Sequence, residues 1–173
     1  MKTCPPASII VITGVGPFSL GEEIVRQILE SRPKATVLGI DIVHNPRLKG
    51  LKQYYELIAN LNPFEHSRGM LGFKNEVAFG IKRYLEDLRM DFIQTLVQSA
   101  GIYDSGPYLE LDDTKRASIW GLNLVGHSEL LHVVMDLNSK RGFRNASHLT
   151  HMEIGSFHGL NPRKGRSVYA ASK

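Results

Sequence analysis

Residues 8–21 read Ser-Ile-Ile-Val-Ile-Thr-Gly-Val-Gly-Pro-Phe-Ser-Leu-Gly, a β-branched apolar run that breaks into a glycine-containing turn. Ser8–Thr13 predicts a strand buried on both faces, because every residue from Ile9 to Ile12 is apolar rather than every second one. Leu20–Ser31 then places Ile24, Ile28 and Leu29 at helical spacing, and Pro33 marks its end. Strand, glycine turn and helix in succession are what a bound pyrophosphate requires. The backbone turns sharply, approaches the anion closely and offers it the free N–H groups of a helix N-terminus. A plain strand-to-helix turn can look the same, so the residues that follow must decide.

The alternation continues outward from this stretch. Strands are predicted at Ala35–Asp41, Tyr55–Leu61, Phe92–Gln98 and His148–Ile154. Lys74–Arg89 is helical by period, with Val77, Ile81, Tyr84, Leu85 and Leu88 on one side. Thr114–Asn138 predicts a long helix capped by Thr114, with Ile119, Leu122, Val125, Leu130 and Val134 available to a core. The expected architecture is α/β, a Rossmann-type doubly wound parallel sheet with helices on both faces, in a single domain over residues 1–173. Ligands in such sheets bind beyond the carboxyl ends of the strands, where strand order reverses.

Composition bounds the function. With 173 residues, 42% apolar and 22% charged, the chain has the make-up of a soluble globular protein. No run of eighteen apolar residues is present, so no membrane span is expected. The apolar stretch Ala7–Ile12 is too short for a secretory signal. Cys4 is the single cysteine, which excludes an intrachain disulfide and leaves a cytoplasmic location as the default. The net charge of +4 gathers in Lys140–Arg144 and Arg163–Arg166. With Phe143 the single aromatic among them, these read as solvated loops rather than a nucleic-acid face. Among the seven histidines, His148 and His151 fall on opposite faces of a predicted strand, and His127 and His132 diverge on a helix, so no metal site is expected.

Five further positions carry chemistry. Asp41 ends the second strand twenty residues after Gly21, where a carboxylate can accept ribose hydroxyls and repel a 2′-phosphate. NAD is therefore expected over NADP, with Arg47 the one nearby residue able to reverse that preference. Tyr169 and Lys173 stand four apart, one helical turn, where an ammonium lowers a phenol's pKa and suits it to proton exchange with a substrate oxygen. Ser156 lies thirteen residues before Tyr169, placed to hydrogen-bond the same oxygen. Asn123 sits inside the long helix, an unfavourable place unless its amide has a partner.

Taken in order, Thr13-Gly14-Val15-Gly16-Pro17-Phe18-Ser19-Leu20-Gly21, Asp41, Ser99-Ala100-Gly101, Asn123, Ser156 and Tyr-Ala-Ala-Ser-Lys at 169–173 resemble the short-chain dehydrogenases/reductases. The resemblance implies an NAD-dependent oxidoreductase acting on a small alcohol or ketone. In it Tyr169 would be the acid/base, Lys173 the group that binds the nicotinamide ribose and lowers the tyrosine pKa, Ser156 a holder of the substrate oxygen and Asn123 the support of a proton-relay water. Gly14, Gly16, Ser19, Leu20, Gly21, Asp41, Asn60, Ala100 and Gly101 would form the cofactor site together with Tyr169 and Lys173. A homo-oligomer is implied through the long helix. The glycine turn is one residue longer than the family's, with Ser19 where the middle glycine should stand, and Gln98-Ser99 replaces an Asn-Asn pair. Asn60 stands where the family has an acidic residue and is expected to hydrogen-bond adenine. Family members run well past a Tyr-x-x-x-Lys motif, so the chain is expected to be roughly the N-terminal two-thirds of such a fold, without its last strands.

Overall fold

The architecture is described from a computed structural model of the protein, which covers residues 7–104, 106, 109–143, 148–161 and 163–173. Cys4 and Arg144, both weighed above, lie outside the described residues. Five strands, β1 (Ser8–Thr13), β2 (Thr36–Asp41), β3 (Tyr54–Ile58), β4 (Phe92–Gln98) and β5 (Thr150–Glu153), form one parallel sheet in the order β3-β2-β1-β4-β5. Chain order reverses between β1 and β4, and the crevice beyond their carboxyl ends is where such a sheet receives a ligand.

Alternate side chains of the strands feed two cores. Ile10, Ile12, Val37 and Val97 pack with Val25 and Ile28 of α1 (Leu20–Ser31). Ile9, Val11, Leu38 and Ile40 pack on the opposite face against Phe73, Val77 and Ile81 of α2 (Gly69–Asp87) and Leu130 and Val134 of α4 (His127–Lys140). Each such fully buried side chain contributes about 1.5–3 kcal/mol. A register shift between Ile9 and Ile10 lets Ile93 and Leu96, three residues apart on β4, both face this second core. No helix of the described residues is long and apolar enough to cross a membrane.

Several boundaries differ from expectation. β3 ends at Ile58 rather than Leu61, because Ala59–Leu61 leave the sheet to form a wall of the crevice. The helix expected from Lys74 begins at Gly69, extended by Met70 and Phe73, which pack into the core. Thr114 does not cap the long helix. Asp112 does, accepting the Lys115 N–H at 2.8 Å, and α3 (Asp113–Trp120) follows. α3 runs through a π-helical segment, Gly121–Gly126, into α4. β5 is the outermost strand and shorter than expected, with all four residues exposed. Two short helices complete the order, α5 (Phe157–Leu160) and α6 (Ser167–Ala171).

Candidate active site

Gly14 follows β1 in the left-handed region, at φ +70°, and a Cβ there would fall 2.6 Å from the Ala100 backbone. Only glycine fits. Gly21 packs beneath the turn rather than on its open side: a Cβ on it would meet the Gly14 carbonyl oxygen at 2.2 Å. A second left-handed residue of the turn is Phe18, at φ 62°. Ser19 is the extended N-cap of α1, its Oγ accepting the Glu22 N–H at 3.0 Å. Leu20 opens the helix and is exposed.

A left-handed phenylalanine costs about 1–2 kcal/mol and needs support. Glu22 provides it, accepting the Phe18 N–H at 2.7 Å, while the Arg47 guanidinium covers the Phe18 ring at 4.3 Å. Arg47 Nε and Arg26 also donate to Glu22, at 2.7 and 3.0 Å, and Asn45 Nδ2 at 3.3 Å. Burial alone would raise the Glu22 pKa, but hydrogen bonds from Arg47, the Phe18 amide, Arg26 and Asn45 together bring it down to about 2. Arg47, the residue able to reverse the cofactor preference, is thus bound to this carboxylate.

A crevice of about 410 Å³ opens above the carboxyl ends of β1, β2 and β4. Gly14, Gly16, Ser19, Asp41, Asn60, Ala100 and Gly101 of the expected cofactor residues line it. Leu20, Gly21, Tyr169 and Lys173 do not. Asp41 accepts the Gly16 N–H at 2.7 Å and the Val43 N–H at 3.2 Å, one on each oxygen, leaving lone pairs free on both. Asn60 is committed to its own turn, donating to Glu65 at 2.8 Å and accepting from the Asn62 N–H at 2.8 Å. Thr13 and Ser99 clasp the floor: Thr13 Oγ1 accepts the Ser99 and Ala100 N–H groups, and Ser99 Oγ donates to the Thr13 carbonyl. The turn, the helix N-terminus and the Asp41 carboxylate fit the diphosphate and ribose of a dinucleotide.

Gly101 joins this crevice to the second group of residues, since a Cβ on it would lie 3.1 Å from Lys173 Nζ. Asn123 is fully buried in the π-helical segment. Its amide brackets Ile102, accepting the N–H at 2.9 Å and donating to the carbonyl at 2.9 Å, and also donates to Ser172 Oγ at 3.0 Å. Asn123 thus ties the loop after β4 to the end of α6. Tyr169 lies on α6, but the helix stops at Ala171 and Lys173 follows its last turn. Lys173 Nζ donates to the Ile154 carbonyl at 3.2 Å. Burial holds its ammonium below the usual lysine range, with Glu153 acting in the opposite sense. Ser156 caps α5, accepting the His158 N–H at 3.2 Å. Among the described residues no direct hydrogen bond joins Ser156, Tyr169 and Lys173, although they share one corner of the molecule.

Other residues at this corner escape a reading of the sequence. His127 is buried behind Ala100, its Nε2 2.8 Å from that carbonyl and its Nδ1 3.1 Å from Glu153. Its place four residues after Asn123, on the same helix face, was the available signal. Tyr103 packs edge-on against Tyr169 at 5.0 Å, and His158 lies 6.1 Å from the same ring. Arg166 lies over the Tyr103 ring at 5.1 Å and contacts His158 Nε2, so this part of the Arg163–Arg166 group is not the simple solvated loop expected. Among the described residues no group of three or more His, Cys, Asp or Glu side chains is placed to hold a metal ion.

The fold is that of the short-chain dehydrogenases/reductases. A short-chain dehydrogenase from Leptospira borgpetersenii with bound NAD+ superposes with a TM-score of 0.76 at 19% identity, over 96% of this chain and 60% of that one. A 4-hydroxyisoleucine dehydrogenase complexed with NADH gives a TM-score of 0.71 at 21% identity, over 95% of this chain and 63% of the other. A short-chain dehydrogenase/reductase from Burkholderia vietnamiensis gives 0.73 at 19% identity, over 98% and 73%. The chain thus spans less than two-thirds of the length of the first two. No protein-family model matches the sequence, and no curated protein matches it.

Proposed function

We propose that the chain is a single dinucleotide-binding unit of an NAD(H)-dependent oxidoreductase that interconverts an alcohol and a carbonyl compound. One observation carries the reading. A glycine-walled crevice with Asp41 on its wall abuts, through Gly101, the corner that holds Lys173, Tyr169 and Ser156. The Gly14–Ser19 turn and the N-terminus of α1 would hold the diphosphate, and Asp41 the adenosine ribose. NAD is favoured over NADP because Asp41 repels a 2′-phosphate while Arg47 is held by Glu22. Bound NAD would supply the hydride acceptor. Tyr169 would take the hydroxyl proton in the oxidative direction and return it to the carbonyl oxygen in reverse, with the Lys173 charge favouring its phenolate. Ser156 would orient the substrate oxygen. Asn123 would keep Ile102 and Ser172 in place around Lys173. The NAD+- and NADH-bound neighbours support the same cofactor.

A second reading, nucleotide binding without turnover, draws on the Lys173 contact with the Ile154 carbonyl and on the phenylalanine in the glycine turn. Following NADH consumption across a panel of ketones and aldehydes separates the two. Turnover that falls at least about 100-fold in Tyr169→Phe supports the first reading. Full turnover in that variant overturns the role of Tyr169, and NADH binding with no turnover on any carbonyl supports the second reading.

A further inference from the structure

Four side chains, Arg166, Tyr103, Tyr169 and His158, form a closed circuit at this corner, and Ser156 joins it through His158. Arg166 lies 5.1 Å over the Tyr103 ring, and Tyr103 lies 5.0 Å from Tyr169. Tyr169 lies 6.1 Å from His158, and His158 Nδ1 lies 3.5 Å from Ser156 Oγ. Arg166 Nη1 meets His158 Nε2 and closes the circuit. One aromatic ring therefore separates a guanidinium from the phenol that would handle the substrate's proton.

That guanidinium is half-buried, and among the described residues it pairs with no carboxylate. Among the nine other described arginines, Arg26 and Arg47 pair with Glu22, Arg83 with Asp87, Arg116 with Asp113 and Arg141 with Glu86, whereas Arg32, Arg68, Arg89 and Arg163 form no such pair. Arg166 instead donates to a histidine nitrogen and covers a ring, which fixes its position while leaving its charge uncompensated. Loss of solvent and the charges of Arg166 and Arg163 hold His158 below the usual histidine range, so its Nε2 accepts from Arg166 as a neutral ring. Asp104, the acid nearest in sequence to Tyr103, is held by Lys115 at 3.2 Å. A half-buried guanidinium held in place by neutral partners can recognise a planar anion through paired N–H groups.

We propose that the substrate of this site bears an anionic oxygen group, a carboxylate or a phosphate, several bonds from the reacting carbon, and that Arg166 binds it. This deepens the oxidoreductase reading and rests on it. The substrate's hydroxyl or carbonyl lies at Tyr169 and Ser156, and its anion lies across Tyr103 at Arg166. Oxo acids and hydroxy acids with a spacer of a few carbons between the two groups have this shape, and neutral ketones lack the group that Arg166 needs.

The test is an NMR titration of the full chain, with and without NADH, using 5-oxohexanoate, its neutral counterpart 2-hexanone, and inorganic phosphate. The expected result is that 5-oxohexanoate binds at least tenfold more tightly than 2-hexanone. The preference should fall at least fivefold in Arg166→Gln and survive in part in Arg166→Lys. Phosphate displacing 5-oxohexanoate would assign phosphate esters as the source of the anion, and its failure to compete would assign carboxylates. Equal affinities for the two ketones in the wild-type chain overturn the proposal, whatever the variants do. So does a preference that Arg166→Gln leaves intact in a folded protein. If NADH does not bind, the oxidoreductase reading fails separately, and the cofactor-free titration still decides the role of Arg166.

Discussion

At the scale of single residues, the glycine turn is held by charge as much as by conformation. Glu22 stays ionised in the folded chain to about pH 2, whereas an unfolded glutamate takes up its proton near 4.5. Its contribution is therefore complete above the unfolded pKa and is lost as pH falls from about 4.5 towards 2. Glu22→Gln should destabilise the protein clearly in urea unfolding at pH 7 and much less at pH 3. An equal difference at both values would show that the ion cluster does not support the turn. Gly14→Ala tests conformation alone. With φ at +70° and the Ala100 backbone 2.6 Å from the new methyl, it should cost about 2–4 kcal/mol in the same measurement. The doublet Gly14 and Gly21 was legible in the sequence. That Phe18 takes a left-handed position was not, because its support comes from Glu22 and from Arg47, which the chain brings back twenty-five residues later.

At the scale of elements, polar side chains fasten helices to strands where sheet pairing runs out. β5 pairs with β4 only from Thr95 to Gln98, which leaves the outer backbone groups of Ile93 without a strand neighbour. Asn138, near the end of α4, supplies both partners: its Oδ1 accepts the Ile93 N–H at 2.8 Å, and its Nδ2 donates to the Ile93 carbonyl at 2.9 Å. Asn138→Ala would bury two unsatisfied groups and should cost about 2–4 kcal/mol by thermal or urea unfolding. A loss under 1 kcal/mol would mean that the strand finds other partners. Strands β1 and β4 and helix α1 have the boundaries that their apolar runs predict, because burial on both faces leaves little choice of state. β5 is the weakest prediction. Its residues are exposed, and its length depends on pairing with β4 rather than on any pattern of its own.

At the scale of the whole molecule, the alternation of strands and helices was enough to predict a doubly wound parallel sheet, and Asp41 pointed to the crevice at its switch point. The reactive corner was legible only as a set of residue types. Ser156, Tyr169 and Lys173 are visible in the sequence, but Tyr103, His158 and Arg166 meet them only when three separate segments fold together. The chain spans 60% of the NAD+-bound neighbour from Leptospira borgpetersenii. The crevice is proposed to bind a nicotinamide dinucleotide through Asp41. Calorimetric titration of NADH into the chain should show saturable binding to one site, weakened at least about tenfold by Asp41→Ala; no measurable binding by the wild-type chain, or an affinity that Asp41→Ala leaves unchanged, overturns that role.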